Sequence, residues 1–292
     1  MTVSVVMAAW NAEEHVDDAI ASVLAQTVGD WEVLVADDGS TDGTRAAVRA
    51  HRDDRIQLIE LEHSGLPAVA RNNAIARARG EWIALLDADD VWRPAKLARQ
   101  LAAATATGAD VVHTAAELLR DGRVEQSNVV VPAGETFVAL LRGNFVFSSS
   151  ALVRRALLEL HGAFDPDPRL RGSLDYDLWL RLAPHARFAY VDEPLVGYRV
   201  HAAQMSGDVS EMNVGALTAL ENARRLYPEL VRVHEFEWSR YVGILRCTSG
   251  LPGRGRRELF RAVRRRPLDA GAWAWLVRAL RPDQRRRAAA SS

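Results

Sequence analysis

Apolar and polar positions switch between two periods along the first ninety residues. Residues 3–8 form a short, valine-rich apolar run, the pattern of a strand covered on both faces. Residues 13–26 then place Val16, Ile20, Val23 and Leu24 at helical spacing. The exchange repeats, with strands expected over 31–36, 55–61 and 82–86 and helices over 41–50 and 67–79. Strands that alternate with helices pair in parallel through right-handed crossovers. The pattern predicts an α/β fold: a Rossmann-like, doubly wound, mostly parallel sheet flanked by helices.

Beyond residue 110 the pattern loosens. Strands are expected over 110–115, 128–131, 148–153, 188–191 and 196–200, and helices over 135–142 and 175–182. After about Gln204 helical patterns take over. The expected organisation is a main domain over residues 1–207 and a helical C-terminal region over 208–292. Residues 254–287 of that region hold twelve arginines against Glu258, Asp269 and Asp283, with Trp273, Trp275, Leu276 and Leu280 on an apolar side. Two readings stay open: a packed helical unit with a solvated basic face, or a surface that meets anionic lipid or an acidic partner.

Composition narrows the class. The 292 residues are 48% hydrophobic and 26% charged, the balance of a soluble globular chain. A formal net charge of −1 gives no polyanion-binding signature, so nucleic acid is not an expected partner. The single cysteine, Cys247, rules out a disulfide within the chain and fits a reducing compartment. No basic region precedes the first apolar run, and no window reaches the roughly 18 uninterrupted apolar residues of a membrane-spanning helix. A cytoplasmic protein is expected, with the basic C-terminal region as its one candidate for peripheral membrane contact.

Ligands of open α/β sheets bind beyond the carboxyl ends of the strands. The second strand ends Val35-Ala36-Asp37-Asp38-Gly39-Ser40-Thr41-Asp42-Gly43-Thr44, where small residues permit a tight turn. Asp42 suits a helix cap. Two adjacent carboxylates exceed what capping needs, and one could accept the ring N–H of a pyrimidine base. The fourth strand ends Leu85-Leu86-Asp87-Ala88-Asp89-Asp90. Three crowded carboxylates repel one another unless a cation neutralises them. Mg²⁺ typically takes one or two carboxylates plus substrate phosphates. The first strand ends Ala8-Ala9-Trp10-Asn11, where small residues admit a ligand to the backbone and Trp10 offers a flat face. Each feature also has a structural reading: a capped turn, an acidic turn opening the helix near Pro94, and a core tryptophan.

Taken in order, these segments resemble family 2 of the inverting glycosyltransferases, whose catalytic domain has the GT-A fold. Ala8-Ala9-Trp10-Asn11 stands where the family has a Pro-Thr-Tyr-Asn-like turn, and Asp37 to Thr44 match its second strand end without change. Ala70-Arg71-Asn72-Asn73-Ala74 resembles the following helix start, and Gly80 to Asp90 the strand leading into the metal-binding Asp-x-Asp motif. Asp175-Tyr176-Asp177-Leu178-Trp179-Leu180-Arg181 is similar to a later segment in which Leu174 replaces the usual Glu. Tyr198-Arg199-Val200-His201, with Gln204 and Ser206, resembles the closing motif. The match covers roughly residues 2–207.

The resemblance implies roles. Asp38 would bind the nucleobase, with Trp10 stacking on it, the backbone near Ala8 touching it, and Asn11 in the same turn. Arg71 and Asp87 would line the nucleotide-sugar site. Asp89 would hold a divalent metal, Mn²⁺ or Mg²⁺, with His201 as a further contact, and Asp175 would be the catalytic base. Transfer with inversion needs a base for the acceptor proton and a stabilised leaving diphosphate. A UDP-sugar is the expected donor, with dTDP- and GDP-sugars open. The acceptor is a glycan, a lipid-linked glycan, a metabolite or a peptide. Asp177 reads as structural. Residues 145–150 read as an acceptor wall or a buried strand. Rival readings are a non-catalytic sugar-nucleotide binding module and a haloacid-dehalogenase-type phosphatase. A dehydrogenase is disfavoured because no G-x-G-x-x-G follows the first strand.

Overall fold

The computed structural model describes residues 2–120, 123–126, 131, 134–201 and 208–280. The first half follows the expected alternation: β1 (Val3–Ala9), α1 (Val16–Leu24), β2 (Trp31–Asp37), α2 (Thr44–Ala50), β3 (Ile56–Glu60), α3 (Pro67–Ile75) and β4 (Trp82–Leu85). These strands pair in parallel in the order β3-β2-β1-β4, with Val3 opposite both Trp31 and Trp82 and Val33 opposite Ile56. α1 and α2 start three residues later than their periodicity suggests, whereas α3 starts at Pro67 as expected. In α2 the reason is visible: the Asp42 carboxylate accepts from Thr44 N at 3.0 Å and Thr44 Oγ1 at 2.6 Å, so the chain up to Gly43 is a turn.

The second half turns the sheet mixed. It contains β5 (Val91–Trp92), α4 (Lys96–Thr107), β6 (Val111–Arg120), β7 (Arg123–Gln126), α5 (Thr136–Leu140), β8 (Leu152–Arg154), α6 (Arg155–His161), α7 (Leu174–Leu182) and β9 (Phe188–Arg199). Beyond β4 the order runs β8-β6-β9-β5, with β7 pairing β6. β8 is antiparallel to β4 and β6, whereas β6 and β9 run parallel.

Two expectations are corrected here, and a third lies almost wholly outside the described residues. Residues 148–153 are not one strand: Ser148–Ser150 is a 3₁₀ turn, and β8 begins only at Leu152. The two short strands near 190 and 198 are one, β9, whose register against β6 shifts where Ala115 faces Pro194. Proline offers no N–H to the ladder, so the irregularity falls there. The strand expected over 128–131 lies outside the described residues except for Val131, which is not in a strand; β6 pairs instead with β7.

The sheet is covered on both faces, as the apolar runs require. Val3, Val5 and Met7 pack with α1 and α4, while Val6 of the same strand joins the core on the other side, with α3, α5 and α7. Among the described residues five helices follow: α8 (Val209–Leu226), α9 (Pro228–Val233), α10 (Glu235–Thr248), α11 (Pro252–Arg265) and α12 (Ala270–Leu280). α8 to α10 contribute Ala219, Leu220, Val231, Trp238 and Val242 to the core that holds α7. α11 and α12 close a small core of their own on Phe236 of α10.

Candidate active site

The carboxyl ends of β1, β2 and β4 form one edge. The turns after β1 and β2 are tied to each other: Asn11 N donates to Ser40 Oγ and Thr41 N donates to Asn11 Oδ1, both at 2.9 Å. Asn11 sits at φ 47°, a left-handed conformation that asparagine tolerates better than most residues. Ala8 is half-buried, and Trp10, at 52% exposure, projects outward. That exposure sets aside the core-packing reading of Trp10.

Asp37 and Asp38 divide their work. Asp37 is fully buried and accepts from Ser40 N at 3.1 Å and Arg45 Nε at 2.5 Å, so it fixes the turn. Asp38 is nearly buried and holds the loop after β3. Its Oδ1 accepts from Ser64 N at 2.9 Å and Ser64 Oγ at 2.7 Å, and its Oδ2 from Gly65 N at 3.0 Å. His63 completes this corner, a residue that no sequence motif pointed to. Its ring stacks on Trp10 with centroids 5.0 Å apart, and its Nδ1 lies 2.8 Å from Asp38 O and 3.1 Å from Asp38 Oδ2. Gly39, at φ +74°, leaves room for it: a Cβ there would come within 2.9 Å of three His63 atoms. A flat aromatic ring therefore already lies against both Trp10 and Asp38.

The acidic run after β4 is separated by its partners. Asp87 pairs with Arg71 of α3, which is almost buried and lies 5.3 Å over the Phe164 ring. Asp90 is buried, accepts from Ser149 Oγ at 2.5 Å and from Arg199 N at 2.9 Å, and has its pKa raised well above the usual carboxylate value. Burial is the main cause, with the charges of Asp89 and Asp87 adding to it. Asp89 remains partly exposed, and its Oδ2 lies 3.0 Å from His201 Nε2. Arg199 Nε donates to Asp89 O at 2.8 Å, which brings the end of β9 onto this loop. The crowding is thus relieved by Arg71, by the raised pKa of Asp90 and by His201. Ser149, in the 3₁₀ turn, links the pieces: Asp87 N donates to its Oγ at 3.0 Å and Trp92 Nε1 to its carbonyl at 2.8 Å.

Among the described residues no group of three or more His, Cys, Asp or Glu side chains converges on one point. Asp89 and His201 are two oxygen and nitrogen donors side by side. That set fits a hard divalent cation only if phosphate oxygens supply the remaining ligands, the usual arrangement for Mg²⁺. Gln204 and Ser206 lie outside the described residues.

Asp175 enters from the first turn of α7. Its Oδ1 accepts from Tyr176 N at 2.7 Å and its Oδ2 from Asn144 Nδ2 at 3.1 Å. A helix N-terminus favours a charged carboxylate, yet burial wins and raises its pKa from 3.8 to about 6. Arg71 opposes the rise and Asp87 adds to it, so Asp175 shares a field with the Arg71–Asp87 pair. Asp177, by contrast, is structural. It is buried, accepts from Arg181 Nε at 2.8 Å and from Asn222 Nδ2 at 2.9 Å, and joins α7 to α8. Leu174, where a Glu was expected, is buried in the core.

Comparisons with known proteins bear on the family and the fold. A model of glycosyl transferase family 2 matches residues 4–158. TuaG of Bacillus subtilis (strain 168), a glycosyltransferase named for teichuronic acid biosynthesis, is 33% identical over 202 residues, 68% of this chain and 79% of the relative. WfgD of Escherichia coli, named as a UDP-Glc:α-D-GlcNAc-diphosphoundecaprenol β-1,3-glucosyltransferase, is 35% identical over 156 residues, 53% of this chain and 61% of its own length. Among solved structures, residues 1–349 of Staphylococcus aureus TarS in complex with UDP superpose with a TM-score of 0.66 at 20% identity, covering 96% of this chain and 89% of that one. The Pyrobaculum calidifontis mannosyltransferase PcManGT with GDP-Man and Mn²⁺ gives 0.65 at 21% identity, covering 97% and 81%. The sheet order and these superpositions define a GT-A fold, and the chain belongs to glycosyl transferase family 2.

Proposed function

We propose that this glycosyltransferase moves a sugar from a nucleotide-diphosphate donor to an acceptor hydroxyl by a single inverting displacement, with Asp175 as the base. The observation that carries this reading is the Asp175 carboxyl. Burial holds it near 6, and it sits within the field of Arg71 and Asp87 at the carboxyl edge of the sheet. A base works best when its pKa lies close to the working pH, and an ordinary aspartate falls well below it. In the reaction the acceptor oxygen bonds to the anomeric carbon, the bond from that carbon to the diphosphate oxygen breaks, and the acceptor proton passes to Asp175.

Trp10, Asn11, Asp38 and the backbone at Ala8 form the nucleobase end of this site, and Arg71 and Asp87 its diphosphate-sugar end. A base stacked on the Trp10 face that His63 covers, and bonded to Asp38, would displace the His63 ring. Asp89 and His201 would hold Mn²⁺ or Mg²⁺, which would neutralise charge on the leaving diphosphate. The UDP-Glc donor in the name of WfgD and the UDP bound to TarS favour a UDP-sugar, and the diphosphoundecaprenol acceptor in the name of WfgD favours a lipid-linked acceptor. A dTDP-sugar donor is also compatible with a site built around one carboxylate and one stacking ring. We assign the catalytic unit to residues 1–207 and a supporting helical region to 208–292.

A thermal-shift screen of UDP, dTDP and GDP, each with and without Mn²⁺, tests the reading, since a ligand that binds the native state raises the melting temperature. UDP with Mn²⁺ is expected to give the largest shift. Donor hydrolysis measured in parallel distinguishes an enzyme from a binding module. A site indifferent to all three nucleotides would overturn the proposal.

A further inference from the structure

The hairpin of α11 and α12 carries a surface that the catalytic reading does not use. Residues 251–280 hold eight arginines and two acids, Glu258 and Asp269. Among the described residues, one arginine of the outer face, Arg261, is offset by Glu258, and Asp269 is used within its own turn. Glu258 is buried and engaged by Arg246 and Arg261, and Asp269 Oδ1 accepts from Ala272 N at 2.6 Å. Arg254, Arg257, Arg261 and Arg264 recur at i, i+3, i+7 and i+10, which places them on one face of α11, and all four are exposed. Arg254, Arg257 and Arg264 have no hydrogen-bond or ion-pair partner among the described residues. The opposite face, with Leu259, Ala262 and Val263, is buried in the small core.

Large apolar side chains accompany this charge. Phe260 borders the arginine stripe at 54% exposure, and Leu268, in the turn between the helices, is 98% exposed. On α12, Trp273, Val277 and Leu280 follow at i, i+4 and i+7, and each is about half exposed. Clustered apolar side chains on a soluble surface mark an interaction site. No helix among the described residues is long and apolar enough to cross a membrane.

We infer that the α11–α12 hairpin is a docking surface for an anionic lipid bilayer, with the arginine stripe at the headgroups and Phe260, Leu268, Trp273, Val277 and Leu280 in the interfacial layer. Charge complementarity selects the lipid sign. The apolar stripe selects a bilayer over an acidic polymer, because a polymer neutralises arginine but gives leucine and valine nowhere to go. This inference stands apart from the donor site, because none of its residues belongs to it.

The test is co-sedimentation of the full chain with phosphatidylglycerol vesicles and, separately, with phosphatidylcholine vesicles. Binding is expected to phosphatidylglycerol and to weaken with added salt. The triple change Arg254→Gln, Arg257→Gln, Arg264→Gln is expected to lower partition on the order of a hundredfold, at about fivefold per arginine. Trp273→Ser with Val277→Ser is expected to lower it about tenfold while leaving salt sensitivity intact. Both variants change exposed positions, and far-UV circular dichroism with a melting curve confirms that each is folded. Equal binding to both lipids, no binding to either, or retention on heparin without vesicle binding overturns the inference, the last in favour of an acidic partner.

Discussion

Replacing Asp175 with Asn separates the cost of a desolvated carboxyl from its proposed use as the base. A carboxyl held near 6 rather than at 3.8 costs the folded state about 3 kcal/mol at neutral pH, at about 1.4 kcal/mol per tenfold change in proton affinity. Asn removes that cost but turns an accepting oxygen into an NH₂. Tyr176 N keeps its acceptor. Asn144 Nδ2 loses its own, and it cannot flip freely because Asn144 Oδ1 accepts from Val146 N at 3.1 Å. One unmade hydrogen bond at a partly open site costs about 1 kcal/mol. The net expectation is a gain of about 2 kcal/mol at pH 7.5, or a melting temperature higher by about 5 °C.

The pH dependence gives the sharper check. Unfolded, the carboxyl loses its proton near 3.8; folded, near 6. Between those values the native state keeps a proton that the unfolded chain has released, so native stability falls as pH rises. The advantage of Asp175→Asn is therefore complete above about pH 6 and fades toward pH 4. Transfer runs the other way. The base must be ionised, so kcat/KM of the unaltered enzyme rises with unit slope up to about pH 6 and then levels. The Asn variant is expected to lose transfer by at least about a hundredfold while still binding nucleotide. Melting curves from pH 4 to 8 and an assay of nucleoside diphosphate release measure both. A variant that is no more stable at pH 7.5, or that still transfers, refutes the assignment.

Three further outcomes are expected. Asp89→Ala abolishes the Mn²⁺-dependent part of the UDP thermal shift and His201→Ala reduces it, whereas a shift that survives Asp89→Ala moves the cation elsewhere. Trp10→Ala raises the UDP dissociation constant about tenfold by isothermal titration, the value of one base-stacking contact; an unchanged constant would mean the base rests on another surface. Lys96 is buried, stands 3.9 Å over the Trp92 ring and donates to Gln100 Oε1 at 2.8 Å, and burial holds its pKa well below 10.5. Its native form binds fewer protons than the unfolded chain, so it costs stability at neutral pH, and that cost falls as pH rises toward 10.5. Lys96→Met is therefore expected to stabilise by about 1 kcal/mol at pH 7, with the gain shrinking by pH 10 in denaturant titrations.

What could be read from the sequence was what local periodicity and local chemistry encode. The parallel half of the sheet was legible because β1, β2 and β4 are largely apolar runs and the segments between the strands change to helical spacing. Its strand tips were legible because carboxylates gathered there have no role in a core. β8 was not, since three residues give no period, and neither was the continuity of β9 across Pro194. The acidic run shows the same limit in chemical terms. Local sequence shows Asp87, Asp89 and Asp90 as one repelling cluster that demands a cation. The fold answers most of that demand with groups far away in the chain: Arg71 on Asp87, the Ser149 hydroxyl and Arg199 N–H on Asp90, and His201 beside Asp89. Only Asp89 is left partly exposed and tied by no arginine side chain. A cation at this edge accordingly has to be selected by one carboxylate, one imidazole and whatever the substrate brings. In such a site, metal affinity without nucleotide should be weak, and the two ligands should bind cooperatively. Strong Mn²⁺ binding by the free chain, measured calorimetrically, would contradict that account of the acidic run.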